Sequence, residues 1–92
     1  MTRPLFKLGQ CVATPGALEA LEQAGQSFGE FLLRHSAADW GDVCDEDAQA
    51  NNDALKCGAR LLSSYRTTLG TKLWVITEDD RSSTCVLLPE ED

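Results

Sequence analysis

The sequence is short of the residues from which functional sites are most often built. One histidine, one methionine and one tyrosine stand among 92 residues, and eight Lys and Arg face fifteen Asp and Glu. The formal charge of -7 disfavours an extended phosphate-binding surface, which needs a basic patch to displace counterions. Apolar runs are only a few residues long, so no segment offers the roughly 20 apolar residues of a membrane-spanning helix. Met1-Thr2-Arg3-Pro4-Leu5-Phe6-Lys7 has no apolar core of an export signal, and the expected compartment is the cytoplasm. Neither a G-x-G-x-x-G nor a G-x-x-x-x-G-K-[ST] phosphate cradle occurs, nor a G-x-S-x-G nucleophile elbow.

The few reactive residues are poorly placed for chemistry. His35, Asp39 and Cys44 could begin a metal site, but structural zinc sites show ligand pairs at tight spacing and none is present. Cys44 stands at a helix start, yet Asp42, Asp45, Glu46 and Asp47 would raise its thiol pKa and oppose the helix dipole. Cys11, Cys44, Cys57 and Cys85 contain no C-x-x-C spacing, and with no export signal they are expected to be free and mostly buried. The carboxylate runs Asp45-Glu46-Asp47, Glu78-Asp79-Asp80 and Glu90-Glu91-Asp92 fall at a helix start, a turn and a tail, where all ionise alike. The expectation is a non-enzyme with no catalytic, metal or cofactor-binding residues.

What is present is a well-punctuated single domain. At 10.0 kDa the folded chain should expose ~5,200 Å², and no Gly/Ser/Pro-rich linker divides it. Leu5 to Ala13 reads as a first strand with Phe6, Leu8 and Val12 on one face. Thr14-Pro15 starts a helix to Ala24, with an apolar stripe at Ala17, Leu18, Ala20, Leu21 and Ala24 and a left-handed stop at Gly25. Ser27-Phe28-Gly29-Glu30 is a capping box that opens a second helix near Phe28. A third helix is expected from Asp45 to Cys57, with acids in its first turn and Lys56-Cys57-Gly58 at its end. Asn51 and Asn52 within it could present amides to a partner or to the chain's own turns, and Trp40 reads as a core anchor.

From Arg60 the period becomes two, with Leu61, Ser63, Tyr65 and Thr67 alternating with Leu62, Ser64 and Arg66. Thr71 to Thr77 and Ser83 to Leu88 follow as strands joined by the acidic turn Glu78-Asp79-Asp80-Arg81-Ser82. The fold class is α+β: an N-terminal strand, three helices, then a three-stranded antiparallel meander. With the first strand this makes a three- to four-stranded sheet, taken as antiparallel, with the helices packed on it.

Both faces of the Thr71 to Thr77 strand are apolar, since Trp74 and Ile76 point opposite to Leu73 and Val75. The preferred reading is burial on both sides; the alternative is a patch that binds a partner. Trp74, Ile76, Asp79, Asp80, Arg81 and Arg66 are the candidate interaction residues. The partner would be another protein, a second copy of the chain included. The alternative function is nucleic-acid work, by contact through Arg60, Arg66, Lys72 and Arg81 or by an acidic surface imitating DNA before restriction or defence proteins.

The segments Phe6-Lys7-Leu8-Gly9-Gln10-Cys11-Val12-Ala13-Thr14-Pro15-Gly16-Ala17-Leu18, Asp39-Trp40-Gly41, Arg60-Leu61-Leu62-Ser63-Ser64-Tyr65 and Gly70-Thr71-Lys72-Leu73-Trp74-Val75-Ile76-Thr77-Glu78, then Asp80-Arg81-Ser82, resemble a family of small uncharacterised bacterial proteins of plasmids, integrative elements and phages. Its members often carry the label of a type I restriction-modification methylation subunit. That label is not carried over, because a methyltransferase needs a cofactor-binding βαβ unit and typically an Asn-Pro-Pro-Tyr-like motif. The resemblance implies an accessory-genome origin and says little of function.

Overall fold

A computed structural model describes residues 5–92. The first regular element, β1 (Gln10–Ala13), is much shorter than expected. Gly9 ends it with a φ of 67°, in a position where a Cβ would run into the Ser82 backbone, so only glycine can turn the chain there. The residues before Gly9 therefore leave the strand. Phe6 packs beside Trp40, Leu8 joins the main core, and Val12 is 42% exposed on the opposite side, so the three do not share one face.

The first and third helices keep their expected bounds, and the second keeps its expected start. In α1 (Pro15–Ala24) the Thr14 hydroxyl accepts the Ala17 N–H at 3.2 Å, and Gly25 closes the helix in the left-handed region. Helix α2 (Phe28–Ser36) uses half of the expected box: Ser27 Oγ accepts the Glu30 N–H at 3.3 Å, while the Glu30 carboxylate takes the Gln26 amide at 2.8 Å instead. Helix α3 (Asp45–Cys57) begins on three acids and ends at Gly58, φ 77°.

Strands β2 (Leu61–Arg66), β3 (Lys72–Thr77) and β4 (Ser83–Leu87) form the expected antiparallel meander. The sheet as a whole is mixed, in the order β1-β4-β3-β2, because β1 lies parallel to β4 from Gln10↔Ser83 to Ala13↔Val86. No tight turn ties β1 to β4, so hairpin geometry does not impose an antiparallel partner, and the long helical connection permits a crossover.

Helices α1 and α2 cover one face. Ala17, Leu21, Phe31 and Leu32 meet the inward Tyr65, Leu73, Val75 and Val86 in the main core. A second cluster under α3 joins Trp40, Ala54 and Leu61; Trp40 is thus the expected anchor, its indole N–H donating to Asn52 Oδ1 at 3.1 Å. The Asn51 amide finds its use here too. It donates to the Leu62 carbonyl at 2.6 Å and accepts the Leu62 N–H at 3.1 Å. Next along β2, Trp40 and Asp42 engage the N–H and C=O of Ser64 at 3.0 and 2.6 Å. Gly41 sits between them at φ 73°, where a Cβ would strike the Ser64 carbonyl. The outer edge of β2 is closed by these contacts, which is how natural sheets avoid unwanted pairing.

Candidate functional site

The face of the sheet turned away from the helices is the candidate site. Strand alternation sends Leu62, Ser64 and Arg66 of β2, Lys72, Trp74 and Ile76 of β3, and Cys85 and Leu87 of β4 to this side. Register places Trp74 between Ser64 and Leu87, and Ile76 between Leu62 and Cys85. The neighbours Trp74, Ile76, Leu62 and Leu87 make an apolar floor, and Arg60, Leu61, Leu62, Trp74, Ile76 and Asp92 line a shallow cavity of about 280 Å³. Ile76 is buried at 7% exposure and Trp74 is half-buried. Burial on both sides therefore holds for Ile76 and is partial for Trp74, because among the described residues no helix crosses this face and a short 3-10 turn, Pro89–Glu91, lies against β3.

That turn is tied down by Glu91. Its carboxylate accepts the Thr14 hydroxyl at 2.5 Å and the Leu88 N–H at 3.0 Å, and the Thr14 bond, then the Leu88 bond, hold its pKa below the usual carboxylate value.

Cations border the floor along β2 and at the start of β3. The Arg60 and Arg66 side chains are 58% and 61% exposed and meet Glu78 and Asp42 only loosely, at 3.8 and 3.7 Å. Lys72 is exposed. Exposed pairs of this kind contribute roughly 0–1 kcal/mol, so the guanidinium groups are available to an incoming anion.

The other expected interaction residues are not on this floor. Asp79 and Asp80 are exposed in the β3–β4 turn, where Asp80 accepts the Ser82 N–H at 2.9 Å and hydrogen bonds from Ser82 lower its pKa. Arg81, at φ 60°, reaches inward. Its guanidinium donates to the carbonyls of Ala59 at 2.6 Å, Glu78 at 3.0 Å and Ala54 at 3.1 Å, and lies 5.6 Å from the Phe6 ring centre. Arg81 is thus a cap for the end of α3, where free carbonyls favour a cation.

His35 is fully enclosed, at 0% exposure. The rings of Phe6 and Trp40 stand 5.3 and 5.7 Å away, edge to face. Nδ1 lies 2.5 Å from Ser63 Oγ and Nε2 lies 2.9 Å from Thr77 Oγ1. Thr77 meets Thr84 at 2.7 Å, and Thr84 donates to the Leu8 carbonyl at 2.7 Å. A carbonyl can only accept, which fixes the protons from Leu8 as far as Nε2, and the neutral ring then leaves Nδ1 an acceptor. Thr84 gives its proton to Leu8, Thr77 gives its own to Thr84, Nε2–H donates to Thr77, and Nδ1 accepts from Ser63. The bond from Ser63 to Nδ1 requires the neutral imidazole, and burial, followed by the charge of Arg81, pushes the ring's pKa down to about 4. Sequence reasoning missed these partners; the signal was hydroxyl residues at inward positions of three adjacent strands, Ser63, Thr77 and Thr84. The Ser63 hydroxyl and the His35 ring resemble a nucleophile and its base, but both are at 0% exposure, so no substrate reaches them.

The cysteines are four free thiols. Cys44 and Cys57 are exposed at the two ends of α3, against the expectation of mostly buried thiols, because that helix buries only Asn51 and Ala54. Among the described residues no group of three or more His, Cys, Asp or Glu could hold a metal ion, and no helix is long and apolar enough to cross a membrane. No family model, curated protein or solved structure matches the chain.

Proposed function

We propose that this chain is a non-enzymatic protein-interaction module that works through the open sheet face around Trp74. The observation that carries the reading is the half-buried indole on an apolar floor, flanked along β2 and at the start of β3 by Arg60, Arg66 and Lys72, three of the eight cations in a chain of net charge -7. Tryptophan and arginine are the residues most enriched at interface hot spots. A partner suited to this face presents an apolar side chain flanked by carboxylates, which would enter the depression while the rim cations steer the encounter. An accessory-genome origin rests on the sequence resemblance, and a cytoplasmic site on the sequence expectations above.

The test is affinity capture with the wild-type chain beside Trp74→Ala, Arg66→Glu and the control Leu33→Ser, Leu33 being 67% exposed on α2. A partner held by wild type and Leu33→Ser, lost with Trp74→Ala and weakened with Arg66→Glu, is the expected result. An unchanged set of captured proteins in Trp74→Ala would overturn the reading. So would a salt-sensitive shift of DNA or RNA that depends on Arg60, Arg66 and Lys72.

A further inference from the structure

The sheet has two edges, and among the described residues one of them is closed. Gln10 and Thr14 donate to the Ser82 and Val86 carbonyls at 3.0 Å each, so the alternation of β1 turns the N–H and C=O of Cys11 and Ala13 away from β4. No described segment pairs with that side. We infer that β1 pairs antiparallel with β1 of a second copy of this chain, about a twofold axis through Val12.

The pairing is self-complementary. Cys11 facing the partner's Ala13, and Ala13 facing the partner's Cys11, makes four backbone hydrogen bonds, and the register is its own symmetry mate, as a closed dimer requires. The same register sets Val12, 42% exposed, opposite the partner's Val12 in a non-hydrogen-bonded pair, where side chains approach most closely. Gln10–Ala13 contains no charge and no proline, the usual guards of an exposed edge.

Area favours a second copy over a foreign strand, a support that rests on the function proposed above. Strands of 4, 6, 6 and 5 residues, spaced about 4.8 Å with a rise of about 3.3 Å per residue, give one chain an open face of roughly 330 Å². A standard interface takes about 800 Å² per partner. Joining two chains through β1 makes one continuous eight-stranded sheet and doubles the open face, with both Trp74 floors on the same side.

Sedimentation equilibrium over about 10 μM to 1 mM, the range of weak dimers, tests the inference together with amide hydrogen exchange. The mass should rise from 10.0 kDa to twice that value, and the Cys11 and Ala13 amides should gain protection as it does. Ala13→Pro removes a donor that only the partner uses, and Val12→Lys places like charges opposite each other. Both should stay monomeric, with unchanged circular dichroism and melting, while Trp74→Ala still dimerises. A wild-type chain monomeric throughout, a dimer that survives Ala13→Pro, or a dimer with unprotected Cys11 and Ala13 amides would each overturn it. Partner capture by monomeric Ala13→Pro would leave the Trp74 reading standing alone.

Discussion

Acidification from pH 7 to pH 5 should destabilise the fold through one side chain, His35. In the unfolded chain its pKa is near 6.5; in the fold burial and Arg81 hold it at about 4. As the pH falls below 6.5 the unfolded state takes a proton that the folded state refuses, so stability falls as pH falls between those two values. The loss is about 2 kcal/mol by pH 5 and about 3 kcal/mol by pH 4. Against the 5–15 kcal/mol typical of whole domains that is a large fraction. The stereochemistry gives the same sign. Protonated Nδ1 would have to donate to Ser63 Oγ at 2.5 Å, and the Ser63 proton would lose its acceptor. Urea unfolding at pH 7 and pH 5, for wild type and His35→Gln, isolates the effect, because both proteins share every other titrating group. Glutamine keeps a donor and an acceptor but does not titrate, so the variant should start less stable and lose about 2 kcal/mol less on acidification. An imidazole pKa above about 6 by NMR in the folded protein, or equal losses in the two proteins, would refute the reasoning.

Other substitutions test the edges and caps. Asn51→Ala leaves the Leu62 N–H and C=O unpaired at a part-buried site and should cost about 2–3 kcal/mol in chemical denaturation. Gly41→Ala and Gly25→Ala both force alanine into the left-handed region, but only the first drives its Cβ into the Ser64 carbonyl. Thermal melts should show about 1 kcal/mol for Gly25→Ala and a failure to fold stably for Gly41→Ala. An aromatic disulfide reagent should modify Cys44 and Cys57 rapidly, since both are exposed. Cys85, half-buried with its thiol pKa pushed up by burial and then by Glu91, should react slowly until the chain unfolds.

How far the sequence could be read depended on whether the deciding contact was local. Thr14-Pro15, Gly25, Ser27 and the acids before Ala48 act within one turn of backbone, and the three helices have the ends these residues predict. Period-two alternation in β2 to β4 likewise follows from backbone geometry. The length of β1 was not legible, because what forces Gly9 to turn is the Ser82 backbone, far along the chain. Its parallel partner was hidden for the same reason. At the candidate site, alternation alone placed Trp74 and Ile76 on one face, and the β2–β3 register set Arg66 on the same side. Arg81 was misgrouped with them, since its attachment to the Ala54 and Ala59 carbonyls is a tertiary contact that the turn sequence does not encode.

The closure of the β2 edge by Asn51 and the Trp40–Asp42 segment reaches beyond the single molecule. A sheet grows without limit when each unit has two adhesive rims, as beads with two hooks make a string. This chain has one hook. Its far rim is already occupied by its own amide and backbone, so the proposed joining at β1 would consume the remaining hook and stop the count at two. Removing the Asn51 amide would reopen that rim at Leu62 alone, because the Trp40 and Asp42 backbone still holds Ser64, so two independent contacts would have to be lost before the chain could propagate into fibres.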